Sequence, residues 1–455
     1  MTQTTNNLRQ DAIAIFQAGI QAADPYSAVK RCLQSDGKRL DITLDLNSNA
    51  KRRGNWQKVH VIAFGKAACA MAKAAQEIIP AQLLAQPITA ITNYENVTEL
   101  ANIEVIGANH PLPDQAGFSA AQRIAKIAQQ AQQGDLVLVL VSGGGSALIP
   151  LPADGISLDE KIATTDLLLA SGAAINKINC VRKHLSQLKG GGLAKMAAPA
   201  DLHALILSDV LGDDLSAIAS GPTVADDTTF NEAIQVFKDK QLWHKVAPNV
   251  QAHLEKGAQG IISETPKLGD AIFNNTDHTL CGSNAISVQA ISQTAQNLDY
   301  DLHLYSDQLS GEAKQVAEDL VIYTQALLAK NIDRPCAILA GGETTVTLTG
   351  NGLGGRNQEM ALAFAIAAEK HQLNADWVFL SGGTDGHDGP TDAAGGMVDP
   401  QTITRMRNAT IEPKQYLANN DAYHALQISE GLLITGATGT NVADLQILLI
   451  QPQLI

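Results

Sequence analysis

The chain has 455 residues, long enough for two or three domains with sizeable cores, and at 45% hydrophobic and 17% charged it is far from a disordered polymer. Thirty-seven glycines with only 4% aromatics favour a close-packed α/β protein with tight strand-to-helix turns. A formal charge of −14 argues against nucleic acid and against an anionic membrane as partners, so an anionic substrate has to be held by a few local cations.

The opening MTQTTNNLRQ lacks the charged and apolar parts of a signal peptide, and no apolar run approaches the ~18 residues of a membrane span. Residues 8–33 carry apolar side chains at helical spacing (Ile13, Phe16, Ile20, then Val29 and Leu33). The pattern breaks at Asp24-Pro25, which predicts two packed helices, the second opened by proline. The apolar run 59–64 ends in Gly65-Lys66 before an alanine-rich stretch over 67–76, a strand-turn-helix unit with a lysine at its turn. Strands are expected over 87–92 and 104–107, and a helix over 114–131.

LVLVLV at 136–141 is the pattern of a central parallel strand buried on both faces, and SGGGSA follows it directly. Helices over 157–171 and 175–188 lead to KGGGLAKMA, and 202–207 is another buried strand ending in Ser208-Asp209. Strands and helices alternating in this way predict a Rossmann-like, doubly wound parallel sheet with ligand loops at the carboxyl ends of its strands. We assign it to residues 1–245.

The pattern weakens over 240–275, where the domain border is placed, and a smaller α/β domain is expected over 246–455. It should hold helices over 283–297 and 311–329 and a strand over 301–305. Strands at 336–340 and 344–348 read as a hairpin around Gly341-Gly342, hence a mixed sheet. A strand over 377–380 leads into SGGTDGHDGP at 381–390. Short helical pieces reach 428, and strands at 432–434 and 446–450 flank the loop TGATGTNVADL. Five cysteines at 32, 69, 180, 281 and 336 contain no CxxC, which suggests neither a disulfide framework nor a zinc site and fits a reduced cytoplasmic setting.

The glycine-rich segments carry the candidate chemistry. Three glycines after a buried strand let the amides of Ser142, Gly143, Gly144, Gly145 and Ser146 converge on a phosphate, with two serine hydroxyls alongside. Neither GxxxxGK[ST] nor GxGxxG occurs, which counts against a P-loop and a standard dinucleotide site. Lys66 supplies a point cation for a phosphate or carboxylate, although a solvated helix start accounts for a lone Gly-Lys about as well.

Arg182, Lys183, His184 and Lys189 crowd VRKHLSQLKGG, with 182, 186 and 189 on one helical face. A solvated face is the plain alternative, less so for Lys189 beside Gly190. Arg356 stands at a helix start whose free amides already favour anions, and its fork can clamp a carboxylate. Asp209, Glu343 and Asp385 close apolar strands and are the metal or base candidates. Asp213 and Asp214 read as turn residues, Glu359 as a helix cap, and His110 and His387 as structural histidines or acid-base groups.

The segments FGKAACAMA, HPLPD, SGGGSALIPLP, KHLSQLKGGGLA, SDVLGDDLSAIASGPT, GGETTVTLTGNGLGGRNQE, SGGTDGHDGPTDAAGG and TGTNV together resemble the class II glycerate 2-kinases, the family with a MOFRL domain that is also labelled hydroxypyruvate reductase. The resemblance runs from about 64 to 445. It implies transfer of the γ-phosphate of ATP, with Mg2+, to the 2-hydroxyl of D-glycerate in an interdomain cleft. Lys66 and Arg356 look like the family's cleft lysine and arginine, 142–146 like its glycine-rich nucleotide loop, and Asp209, Glu343 and Asp385 like metal ligands; from their own position Lys189 and Gly190 are expected to join the nucleotide-binding residues. Asp209 or Asp385 would orient the hydroxyl. Asn109 and Ala437 depart from the expected glycine and proline. An NAD(P)H-dependent hydroxypyruvate reductase is the alternative, and a homodimer is admitted but not required.

Overall fold

Buried along its whole length, Val59–Phe64 is the hub of a six-stranded sheet. The spatial order is Ile103–Ala108, Ile88–Asn93, Val59–Phe64, Leu136–Val141, Asp201–Leu207 and Thr276–Gly282, with the first five strands parallel. Numbered along the chain this is 3-2-1-4-5-6, the doubly wound order. It reverses between Val59–Phe64 and Leu136–Val141, and open α/β sheets bind ligands where the order reverses.

The helix Gln115–Gln130 starts where Asp114 accepts a hydrogen bond from Gly117 N. It buries Ala121, Ile124 and Ile127 against Ile62, Val137 and Val139. Each large apolar side chain so buried contributes about 1.5–3 kcal/mol. A capping box between Ser157 and Glu160 opens Leu158–Ala170.

The computed structural model describes residues 3–48, 50–330 and 334–452. It divides into two compact units, 25–281 and 1–24 with 282–455. The division differs from the cut expected at 245/246. Helix Pro248–Ala258 packs on Phe230–Asp239, and strand Thr276–Gly282 extends the parallel sheet, so the weakly patterned stretch stays with the first sheet. The helix Gln3–Ala22 belongs to the other unit, where its buried stripe (Leu8, Ala12, Ile15, Phe16) packs on Asn284–Asn297 and on the sheet.

That second unit has a mixed six-stranded sheet ordered Asp301–Leu309, Cys336–Gly342, Asp444–Gln451, Asp376–Gly383, Gly395–Val398 and Leu432–Leu433. The last long strand is inserted antiparallel between Cys336–Gly342 and Asp376–Gly383. It is buried from Asp444 to Ile450 because helices cover both faces: Gln3–Ala22 with Asn284–Asn297 on one, Ala313–Leu328 with Arg356–Lys370 on the other.

The hairpin expected over 336–348 does not form. Beyond Gly342 only a single bridge, Thr345 to Glu312, is made. The segment is instead held by Asn420, whose Oδ1 accepts from Thr349 N and Gly350 N. The five cysteines are unpaired and buried. Among the described residues no helix is long and apolar enough to cross a membrane.

Candidate active site

At the switch point the turn after Val59–Phe64 is tied to the turn after Leu136–Val141. Lys66 N donates to Gly143 O (2.9 Å) and Ala67 N to Ser142 Oγ (3.1 Å). Gly143 is required by close approach, since a Cβ there would fall 2.2 Å from Asp209 Oδ2. Gly144 is required by its φ of +84°, and a Cβ on it would lie 3.1 Å from the His110 ring and 3.3 Å from Lys66 Cγ. Lys66, His110 and Asp209 therefore crowd around two adjacent glycines. The amides of Gly143, Gly144 and Gly145 donate to no group among the described residues. Unpartnered amides at a strand end are what an anion cradle over SGGGS would require.

The surroundings bias the titratable groups. Burial pushes the Asp209 carboxyl up, opposed by its own backbone amide and by Lys66. Burial and then the charge of Lys66 push His110 down. Lys66 itself is exposed.

Lys189 and Gly190 lie behind the cradle and support it. Lys189, only 2% exposed, donates from Nζ to Ser146 O (2.7 Å) and Ser146 Oγ (2.5 Å), and Ser146 Oγ also meets Ser220 Oγ at 3.0 Å. Burial, then Lys161 and Arg182, hold the Lys189 ammonium well below the ordinary lysine value. Gly190 N is spent on Ser220 O and Gly191 N on Gly221 O, so neither amide is offered to a ligand.

The helix expected over 175–188 ends at His184, so 182, 186 and 189 share no helical face. Nor is the charged run 182–184 solvated. Lys183 is buried against Asp226 (3.1 Å), and His184 Nε2 meets Glu264 Oε2 at 3.1 Å.

Lys161 gives a pH test. It is 6% exposed and donates to Leu151 O (3.3 Å) and Leu185 O (3.1 Å). Burial, then Arg182, lowers its pKa to about 7, against about 10.4 for an unfolded lysine. Between these values the unfolded chain binds more protons, so the Lys161 contribution to stability is present above pH ~10.4 and is lost as pH falls toward about 7. Urea titrations at pH 7 and 9.5 should show stability rising with pH in the parent, and Lys161→Met should flatten that rise.

The second unit brings its candidates to the ends of its central strands. Arg356 opens the helix Arg356–Lys370. Its Nε donates to Asp444 Oδ2 (2.6 Å), its Nη2 to Asp444 Oδ1 (2.9 Å), and its Nη1 meets Glu343 Oε1 at 2.6 Å. Burial alone would lower its pKa, but the hydrogen bond and charge of Asp444, then Glu343 and Asp388, raise it above the ordinary arginine value. The fork expected to face a free anion is thus already clamped by protein carboxylates. Three of the five guanidinium donors are in use, which leaves two.

Asp388, 3% exposed, accepts from Asn357 N (3.1 Å) and Gln358 N (2.8 Å) and so caps this helix, the part expected of Glu359. Burial pushes Asp388 up to about 6 against the pull of those amides. Glu359 is buried in the first turn and accepts from Asn420 Nδ2 (3.0 Å). Asp385 lies near Gly383 with its Oδ1 accepting from His387 N (2.9 Å), and its carboxylate is partly exposed. Asp214 accepts from Ser216 N, a turn contact.

Among the described residues no group of three or more His, Cys, Asp or Glu side chains is placed to hold a metal ion. Asp209, Glu343 and Asp385 therefore do not form a ready-made ligand set. Magnesium that keeps waters and phosphate oxygens needs only one or two carboxylates. Asp385 fits that requirement, whereas Glu343 is engaged by Arg356. Asp444 went unnoticed in the sequence. Its signal is a carboxylate opening a strand that is apolar over 445–450 but for Gln446.

A parallel sheet in the doubly wound order, with unpartnered amides and a lysine at its switch point, defines an α/β protein of the class that takes its ligands at that point. Residues 11–255 match a family model described as a domain of unknown function (DUF4147), and residues 336–444 match the MOFRL family. The chain is 40% identical over 447 residues to a glycerate 2-kinase of Pyrococcus horikoshii, covering 98% of each chain. It is 38% identical to a D-glycerate 2-kinase of Thermotoga maritima over 98% of this chain and 99% of that one. A crystal structure of a glycerate kinase from Thermotoga maritima matches with a TM-score of 0.86 at 38% identity, covering 98% of this chain and all of the other. The chain belongs to the glycerate 2-kinase family.

Proposed function

We propose that this protein phosphorylates D-glycerate at its 2-hydroxyl, with ATP as donor, to give 2-phosphoglycerate and ADP. The observation that carries the reading is the cradle of unpartnered amides at 143–145 with Lys66 and Asp209 beside it, in a chain of this family. Phosphoryl transfer asks little covalent chemistry of a protein. It asks for fixed donors where charge develops and for alignment of the attacking oxygen with the leaving one.

The 2-hydroxyl oxygen attacks the γ-phosphorus, and the bond to the β,γ-bridging oxygen breaks with its electron pair passing to ADP. The amides of 143–145 and Lys66 take up the charge on the moving phosphoryl oxygens. Asp209, whose burial raises its proton affinity, orients the hydroxyl and receives its proton. In the other unit the two remaining N–H donors of Arg356 stay open to an anion such as a carboxylate, and the salt bridges to Asp444 and Glu343 fix the direction in which they point. Asp385 would hold magnesium together with water, and the ion would supply charge neutralisation.

Reduction of hydroxypyruvate with a nicotinamide cofactor fits less well. The turn after Val59–Phe64 lacks the dinucleotide glycines, and the next strand, Ile88–Asn93, ends in asparagine where an acid on the ribose is needed. Incubating the purified protein with ATP, magnesium and D-glycerate should yield 2-phosphoglycerate. Formation of no phosphoglycerate at any magnesium concentration would refute the reading.

A further inference from the structure

Next to Gly144 the parallel-sheet unit holds a cavity of about 300 Å3. Part of its wall is apolar, formed by Pro111, Pro113, Pro150, Ile162 and Leu169. Lys161, Arg182 and Lys189 also line it, with a single carboxylate, Asp166. Burial draws both lysines below the ordinary lysine range, which leaves Arg182 as the charge this wall offers to an anion.

The three cations are not equivalent. Lys161 and Lys189 already donate to backbone carbonyls. Arg182 makes no hydrogen bond and no ion pair among the described residues although it is half buried, and burial lowers its pKa with Asp166 opposing. A guanidinium withdrawn from water without a partner is costly, and its planar fork matches two phosphate oxygens. The larger cavity of about 590 Å3 in the same unit has no comparable unpaired fork, since its Lys183 and His184 are paired with Asp226 and Glu264.

Apolar walls beside an unpaired arginine suit a ligand that is flat and apolar at one end and phosphorylated at the other. Gly144 and Ser146 of the cradle line the same cavity, so a phosphate chain running toward the cradle passes Arg182. We infer that this cavity is the nucleoside pocket of the phosphoryl donor, with the purine base against Pro111, Pro113 and Ile162 and Arg182 on the α- or β-phosphate. This assignment rests on the reading of ATP as the donor.

Calorimetric titration of the full-length protein with ADP and with inorganic tripolyphosphate separates the two ends of the pocket. Ile162→Trp fills the apolar end and should weaken ADP at least tenfold while leaving tripolyphosphate within twofold. Arg182→Ala should weaken both at least tenfold. If Ile162→Trp does not fold, Leu169→Trp serves instead, because Leu169 is 50% exposed. A folded tryptophan variant that binds ADP as tightly as the parent overturns the pocket assignment alone. A parent that binds no ADP and uses no ATP overturns the donor reading and this inference with it.

Discussion

Arg356→Ala should lower the stability of its unit by about 3–5 kcal/mol and reduce kcat/KM for glycerate by at least 10²-fold. The stability loss arises because Asp444 is fully buried and its two oxygens take both parallel donors of the arginine. Removing one partner of a buried pair leaves an uncompensated charge. Replacing both residues by apolar ones, Arg356→Met with Asp444→Leu, leaves no such charge and should recover most of the lost stability.

If Arg356 binds the substrate carboxylate as proposed, activity stays low in that double variant. Urea unfolding followed by the fluorescence of Trp377, on the neighbouring strand Asp376–Gly383, reports on this unit once Trp56 and Trp243 are replaced by phenylalanine. If the double variant regains turnover together with stability, Arg356 is only a brace and the substrate carboxylate is bound elsewhere.

How much of this was legible in the sequence depends on the distance over which each fact is decided. LVLVLV followed by SGGGSA fixed a buried strand and its ligand turn, because period, β-branching and glycine act within ten residues. The mixed sheet was also foreseen, though by way of a hairpin that is not there. Its antiparallel partner is the strand Asp444–Gln451, a hundred residues further on.

The amphipathic stripe of Gln3–Ala22 announced that this helix would be buried but carried no label saying against which sheet. The same limit applies to the charges. Arg356 was recognisable as an anion binder, yet the anion that holds it in this structure comes from a residue 88 positions away. KGGG has the composition of an amide cradle, and only the turn at Ser220 and Gly221 shows that its amides are already used. The charged run at 182–184 reads as solvated because charge usually is. The buried acid Asp226 and the half-exposed Glu264 reverse that reading, and no local pattern connects them to it.

Lys66→Ala should lower kcat by about 10²–10³-fold, the range for removing one preorganised donor from a transition-state charge, while leaving the melting temperature within a degree of the parent. Stability is spared because the fold uses the backbone of Lys66 and not its ammonium. Its N–H is bonded to Gly143 O and its carbonyl accepts from Thr92 Oγ1, and both contacts survive truncation of an exposed side chain. Arginine at this position keeps the charge but replaces a compact ammonium by a plane, so Lys66→Arg should restore only part of the rate.

A second readout does not depend on turnover. Burial and then the charge of Lys66 hold His110 down, so in Lys66→Ala, where the second cause is gone, the His110 titration followed by NMR should move to higher pH. If His110 shifts upward while kcat stays at the parental value, Lys66 does sit over the cradle but carries no share of the phosphoryl transfer.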